Sequence, residues 1–564
     1  LVYFKRRGFV ICRRYFTNYS SGAAQQEMKA VDLYRASSAM AIGTIISRIT
    51  GFIRGVLLVA ALGTALLADG YNVANTMPNI IYNLVVGGAL TAIFVPQLIR
   101  SFADEDGGVG FASRLVTTIS VSLFALTALG MFFAPALVRL YAPEFTTAGF
   151  ENEYSVTVAF MRYCLPQIFF LVLYGMLGQV ANARGVFAPL MWAPILNNLV
   201  GVFLLGGFLY FAPSVRADTI TDTQVSVLGW GTTLGAVVQA LVLIPVISRT
   251  KFKLRFQFGF GGLGKSFKLA GWTLVYVIIS QLGYLVTVNV ATSAAVRSAQ
   301  EGIVRGVGFT PYSNAYLIML LPYSIVTISI ITALLPHLSR LVISKNFDEV
   351  KSQLVRAIRL VGVITIPSAV GLAFFGPLIT EVLFFGISRS DSSYMGYVLS
   401  ALGLGLVAFS INIILVRGFN AFEDTKTQVI SILIINLIAV ALSYLALNTI
   451  ENEYVTISLG LAFSISYIVG LVITLELIKK HVGKIHFSQF MGQHSKLILA
   501  AVVAMAPMFA LTRFLDWHGP LALLLVLVVS ASGYFLIAKL LQVTEISMIY
   551  GLLRSSRGVV GNNE

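Results

Sequence analysis

The chain has 564 residues, of which 57% are hydrophobic and only 11% charged. A soluble domain carries about 25% charged residues, so this composition excludes an ordinary water-soluble enzyme and points to a lipid-embedded chain. The formal net charge of +15 would suggest nucleic acid in a soluble protein, but here the basic residues cluster in particular loops, and no nucleic-acid partner is expected.

Residues 1–35 open with Lys5-Arg6-Arg7 and Arg13-Arg14 and continue through a polar stretch. No apolar h-region or small-residue cleavage site follows, so the stretch reads as a cytoplasmic tail rather than a signal peptide. A bilayer core about 30 Å thick needs about 20 mostly apolar residues per helix. Such runs recur at 38–64, 74–100, 114–139, 156–182, 188–211, 227–247, 268–296, 311–337, 357–385, 394–416, 428–447, 456–478, 495–513 and 519–541. Strands of a membrane barrel would be about ten residues long and strictly alternating, so the reading is an all-α polytopic protein of fourteen helices. Cys12 and Cys164 form neither a disulfide framework nor a metal cluster.

Loops after even-numbered helices carry Arg249, Lys251, Lys253, Arg255, Lys265 and Lys268, then Arg340, Lys345 and Lys351, then Lys479, Lys480 and Lys484. The opposite loops carry Glu144, Glu151, Glu153, Asp218, Asp222, Glu451 and Glu453. The positive-inside rule then places both termini in the cytoplasm of a bacterial inner-membrane protein. Segment 248–267 alternates basic and aromatic residues, which suits the inner leaflet and its anionic phospholipids.

Two signatures occur twice. Met77-Pro78 with Thr91-Ala92 and Val95-Pro96 matches Leu321-Pro322 with Thr332-Ala333 and Leu335-Pro336. Asn182-Ala183 followed by Asn197 matches Asn420-Ala421 followed by Asn436. Both copies fall on helices of the same orientation, so the repeats are parallel, with a pseudo-axis along the membrane normal. The expected organisation is a tail at 1–35, an N-terminal lobe at 36–247, the linker at 248–267 and a C-terminal lobe at 268–480. Two added helices at 481–545 and a second cytoplasmic tail at 546–564 complete it. A transporter binds cargo between two such lobes.

Arg48 and Arg54 lie within the first apolar run. On a helical wheel they are about 120° apart and can both line one wide opening, which is where a costly intramembrane charge belongs. Arg48 is also close enough to the cytoplasmic end to snorkel. Asp69 is read at the outer end of the same helix, either as a loop carboxylate or as the partner of a cavity arginine. Asn72, Asn75, Asn79 and Asn83 form a ladder on one face of helix 2, able to bond cargo or a neighbouring helix. Gln281 and Asn289 add polar groups on helix 7, with Arg162, Arg184 and Arg417 as secondary candidates. Arginines with few carboxylates favour an anion, and a guanidinium fork suits phosphate. Gly261-Gly262-Leu263-Gly264-Lys265-Ser266 lacks the spacing of a nucleotide-binding loop. No cofactor is expected, and the driving force is a membrane potential or an ion gradient.

These residues resemble a known family, the lipid II flippases of the multidrug/oligosaccharidyl-lipid/polysaccharide exporter superfamily. The resemblance rests on Ser47-Arg48-x-x-Gly51-Phe52-x-Arg54, Ala68-Asp69, Pro78-Asn79 and Phe94-Val95-Pro96. Phe187-Ala188-Pro189, Leu334-Leu335-Pro336 and Arg417-Gly418-Phe419-x-Ala421 extend it. It implies a V-shaped transporter with a central cavity for an undecaprenyl-diphosphate-linked saccharide-peptide, alternating access, and a groove for the polyprenyl tail on helices 13 and 14. It also gives Arg48, Arg54 and Asp69 functional weight. The chain departs from the family pattern at Gly55, Tyr82-Asn83, Gly87 and Leu317, where charged residues are expected, as in a divergent, actinobacterial-type member or one with altered cargo. Other readings are a flippase for another polyprenyl-linked saccharide, or a membrane scaffold that recruits cytoplasmic regulators or cell-wall enzymes. A drug antiporter of the superfamily should place a carboxylate in its cavity.

Overall fold

A computed structural model describes residues 22–86, 97–98, 101, 106, 108–184, 186–212, 218–249, 255–259, 264–303 and 305–546. The basic stretch of the N-terminal tail with Cys12, the Phe94–Pro96 string, most of the linker and the tail beyond Ile546 lie outside these residues.

The long helices are, in chain order, α1 Gly22–Leu62, α2 Leu66–Tyr82, α3 Val109–Phe132, α4 Glu151–Ala183, α5 Ala188–Phe211, α6 Asp222–Arg249 and α7 Gly264–Gln300, with a short helix Ala134–Tyr141 and a 3-10 turn Pro143–Thr146 between α3 and α4. Then come α8 Phe309–Ile343, α9 Phe347–Leu383, and α10 as Arg389–Gly403 and Leu406–Ala421, bent by 47°. The chain continues with α11 Thr425–Thr449, α12 Asn452–Val482, α13 Ser488–Phe514 and α14 Gly519–Leu540. Twelve of the described helices are long and apolar enough to cross a membrane, and the bent pair makes a thirteenth. The remaining expected segment is α2, whose 17 residues run into a π turn at 83–86 just before a stretch that is not described.

One boundary moves. Helix α2 begins at Leu66, not near residue 74, because α1 stops at Leu62 and Gly63 follows with φ of +76°. Such a backbone suits glycine and ends a helix. Asp69 therefore sits in the first turn of α2, not at the end of α1. An apolar-run criterion misses this start because Asp69, Asn72 and Asn75 dilute the first turns.

Contacts are densest within α1–α6 and within α7–α12, with α13 and α14 packed on α9 and on each other. The two halves reuse the same joints. Asn198 of α5 lies 3.3 Å from where a Cβ on Gly51 of α1 would sit, and Asn436 of α11 lies against Gly283 of α7 in the same way. Both α2 and α8 carry a π turn after their proline, at 83–86 and at Tyr323–Thr327, a local widening that recurs at functional sites.

Linker residues 255–259 are extended and dock on α3. The main-chain N–H groups of Arg255, Gln257 and Gly259 donate to the hydroxyls of Ser113, Thr117 and Thr118 at 2.9, 3.3 and 3.2 Å. The period of two matches an extended chain laid along a helix face.

Glycine at the α7–α11 joint is required by space. Gly283→Val should destabilise the protein by about 1–3 kcal/mol, as overpacking does. Gly206→Ala, with nothing within 4 Å of the added atom, should stay within about 0.5 kcal/mol. Thermal unfolding in detergent reads both, and equal melting of the two variants would contradict the joint.

Candidate functional site

Between the halves lies a cavity of about 880 Å³. Helix α1 contributes Thr44, Arg48, Gly51 and Arg54 to it, and α2 contributes Asn72, Asn75, Asn79 and Asn83. Helix α7 adds Ser280, Gln281 and Tyr284, and α8 adds Tyr312, Asn314, Tyr316 and Leu317. Tyr174, Asn198, Asn436 and Tyr467 come from α4, α5, α11 and α12. Among the described residues its only charged lining groups are the two arginines.

The asparagine ladder works because residues three and four apart share a helix face. Asn79 and Asn83 are exposed to the cavity, whereas Asn72 donates to Thr310 Oγ1 at 2.9 Å. The wall opposite is aromatic. Tyr312 and Tyr316 stack with ring planes 5° apart, Tyr316 meets Phe463 edge to face, and Phe463 meets Tyr467 at a tilt of 48°. Sequence reading missed these tyrosines, although the four-residue spacing of Tyr312 and Tyr316 marks one helix face.

Several expected site residues are elsewhere. Asp69 is fully buried and off the cavity wall. Its two carboxyl oxygens accept the main-chain N–H groups of Phe309 and Thr310 at 2.9 and 2.7 Å. These are unpaired donors at the start of α8, which any helix N-terminus must satisfy and which favours an acidic acceptor. Asp69 thus joins the two halves; it does not partner a cavity arginine. Gly308, with φ of +147°, leaves room for the carboxyl where a side chain would strike it. Asn289 donates to Leu140 O at 3.3 Å, and Thr292 of the same helix donates to Tyr141 O. Arg297 pairs with Glu144 at 2.9 Å. These contacts close one end of the cavity by bonding the halves together, while Thr44, Arg48 and Asn83 are exposed at the other.

Arg162 and Arg184 are exposed and do not line the cavity. Arg417 is half-buried and does not line the cavity, and its Nε lacks a hydrogen-bond partner.

A helical membrane protein with a polar cavity between two similar halves, sealed at one end, is a transporter by architecture. The comparisons make this specific. The description "Lipid II flippase MurJ" matches residues 58–529, and the chain belongs to that family, whose members are transporters and not enzymes. The probable lipid II flippase MurJ of Rhizobium meliloti is 26% identical over 402 residues, covering 69% of this chain and 70% of the relative. The lipid II flippase MurJ of Burkholderia cenocepacia is 25% identical over 445 residues, covering 76% and 81%. In fold, the chain resembles a solved lipid II flippase MurJ in an inward closed conformation, with TM-score 0.70 and 21% identity over 89% of this chain and 98% of that one. An inward-facing multidrug transporter of the MATE family matches with TM-score 0.62 and 14% identity over 79% and 98%.

Hydrogen bonds to a charged group contribute about 1.5–3 kcal/mol each. Asp69→Ala should therefore loosen the seal enough to raise the labelling rate of a Thr76→Cys probe, on the α2 wall of the cavity, at least about tenfold with a maleimide applied from the sealed side. An unchanged rate would mean that the remaining contacts hold the seal alone.

Proposed function

We propose that this chain moves an undecaprenyl-diphosphate-linked peptidoglycan precursor, lipid II, from the inner to the outer leaflet of the bacterial cytoplasmic membrane. The observation that carries this reading is the pair Arg48 and Arg54 in a cavity with no lining carboxylate among the described residues. In a wall otherwise made of amides, hydroxyls and rings, the guanidinium groups select an anion and favour the planar, multidentate geometry of a diphosphate. The asparagines of α2 are placed to hydrogen-bond sugar and peptide, and the tyrosine faces of α8 and α12 to pack against them. The apolar surface of α13 and α14 suits the polyprenyl tail.

With both termini cytoplasmic, as the loop charges favour, the sealed end containing Asp69 is the outer one and the open end faces the cytoplasm. Cargo enters past Arg48, and the halves then rock so that the seal opens and the Arg48 end closes. Alternating access of this kind requires the Asp69 bonds to break in each cycle. Moving two negative charges outward gains about 4.6 kcal/mol per 100 mV of inside-negative potential if both cross the whole field. A coupled cation is therefore not needed on energetic grounds.

The test is outer-leaflet exposure of lipid II in cells depleted of their own flippase and supplied with this chain, intact or as Arg54→Ala. We expect exposure to return with the intact chain and to fall at least tenfold with the variant. Return with both would remove Arg54 from the mechanism. Failure of both, with the protein correctly inserted, would shift the cargo to another polyprenyl-linked saccharide.

A further inference from the structure

Arg54 cannot bind an anion well unless something fixes a long, flexible side chain at membrane depth. The structure shows what does so, and it is uncharged. Arg54 Nη1 donates to Asn197 Oδ1 at 3.4 Å, and Asn197 Nδ2 donates in turn to Gln239 Oε1 at 2.7 Å. Gln239 is buried on α6.

Two glycines make room for this chain of amides. A Cβ on Gly201 would come within 2.6 Å of Arg54 Cδ, so the aliphatic stem of the arginine lies directly over that glycine. A Cβ on Gly235 would strike Asn197 Oδ1. Helix α5 thus offers an amide with glycine one turn later, and α6 offers glycine with an amide one turn later.

We propose that Asn197 and Gln239 are positioning residues for Arg54, forming a neutral relay that orients its guanidinium while leaving its full positive charge for the cargo. Gln239 is the element that sets direction. By accepting from Asn197 Nδ2 it turns the amide so that the oxygen, not the NH₂, meets the guanidinium. A carboxylate at position 197 would hold Arg54 equally well in space but would neutralise it, and a diphosphate would then have to displace an internal counter-ion. The second half lacks this feature: Asn436 repeats Asn198 at the glycine joint, and the residue before it, where Asn197 stands in the first half, is Ile435. The binding charge is therefore set in the first half alone.

This inference rests on the diphosphate reading for its functional consequence, and the experiment separates the two. The purified full chain in detergent is titrated with a short-chain polyprenyl diphosphate, and Arg54 side-chain rotation is followed by ¹⁵N NMR with assignment by the Arg54→Ala spectrum. Asn197→Leu should weaken binding about tenfold in the parent and have no further effect in the Arg54→Ala background, because residues acting as one unit are not additive. Asn197→Asp should weaken binding as much while keeping Arg54 rotation slow. Gly201→Ala, which touches neither amide, should displace Arg54 and weaken binding as well. Equal losses from Asn197→Leu in both backgrounds, or parent-like affinity in Asn197→Asp, would overturn the relay. A parent that fails to bind the diphosphate would remove the cargo reading only, because rotation then decides the relay: faster motion in Asn197→Leu upholds it and unchanged motion sinks it.

Discussion

Two main-chain N–H groups at the start of α8 need acceptors, and Asp69 of α2 supplies them across the boundary between the halves. The cavity depends on this bond, because a space between two helical lobes is a binding chamber only if one end is closed. The directed bonds across the closure are the Asp69 carboxyl, the Asn72–Thr310 bond, the bonds of Asn289 and Thr292 to Leu140 and Tyr141, and the Arg297–Glu144 pair. Apolar packing of Phe145 and Ala142 against Val296 accompanies them. Directed bonds fix the register of the two halves and can break and re-form, which is what a device that exposes its cavity to each side in turn requires.

The electrostatics of the chamber are sparse for a related reason. In a low-dielectric setting each fixed charge dominates its surroundings, so two arginines without lining carboxylates give the cavity one sign throughout. Amide partners such as Asn197 hold Arg54 without cancelling it. Aromatic and amide walls then provide contact area and hydrogen bonds that do not compete with the charge. Among the described residues the ion pairs lie outside this chamber, at Arg305–Glu453 and Arg389–Glu381 for example.

The internal duplication explains why the halves fit, and where they differ it separates structure from function. Gly51 with Asn198 and Gly283 with Asn436 are the same helix joint built twice. Only in the first copy does an arginine lie one turn beyond that glycine, at Arg54, where the second copy continues with apolar residues. Packing has been kept in both copies, and charge belongs to one.

Sequence alone determined the helical class, because lipid leaves about 20 apolar residues as the unit of a span, and it determined the family through strings such as Ser47-Arg48-x-x-Gly51-Phe52-x-Arg54. It also exposed Arg48, Arg54 and the asparagine ladder, since a polar residue in an apolar run is conspicuous. It could not place Asp69, whose helix start is hidden by polar residues and whose partners are backbone groups about 240 positions away. Nor could it find Tyr174, Tyr284 and Tyr467, because a tyrosine in a membrane helix looks the same whether it faces lipid, a neighbouring helix or a cavity. The Asn289 side chain reads as a cavity group until its bond to Leu140 is seen, and the Asn197–Gln239 relay joins residues that share no local pattern. Spans follow from composition along the chain, whereas a cavity and its seal are made by pairs distant in sequence, and only the tertiary structure decides which of those pairs meet.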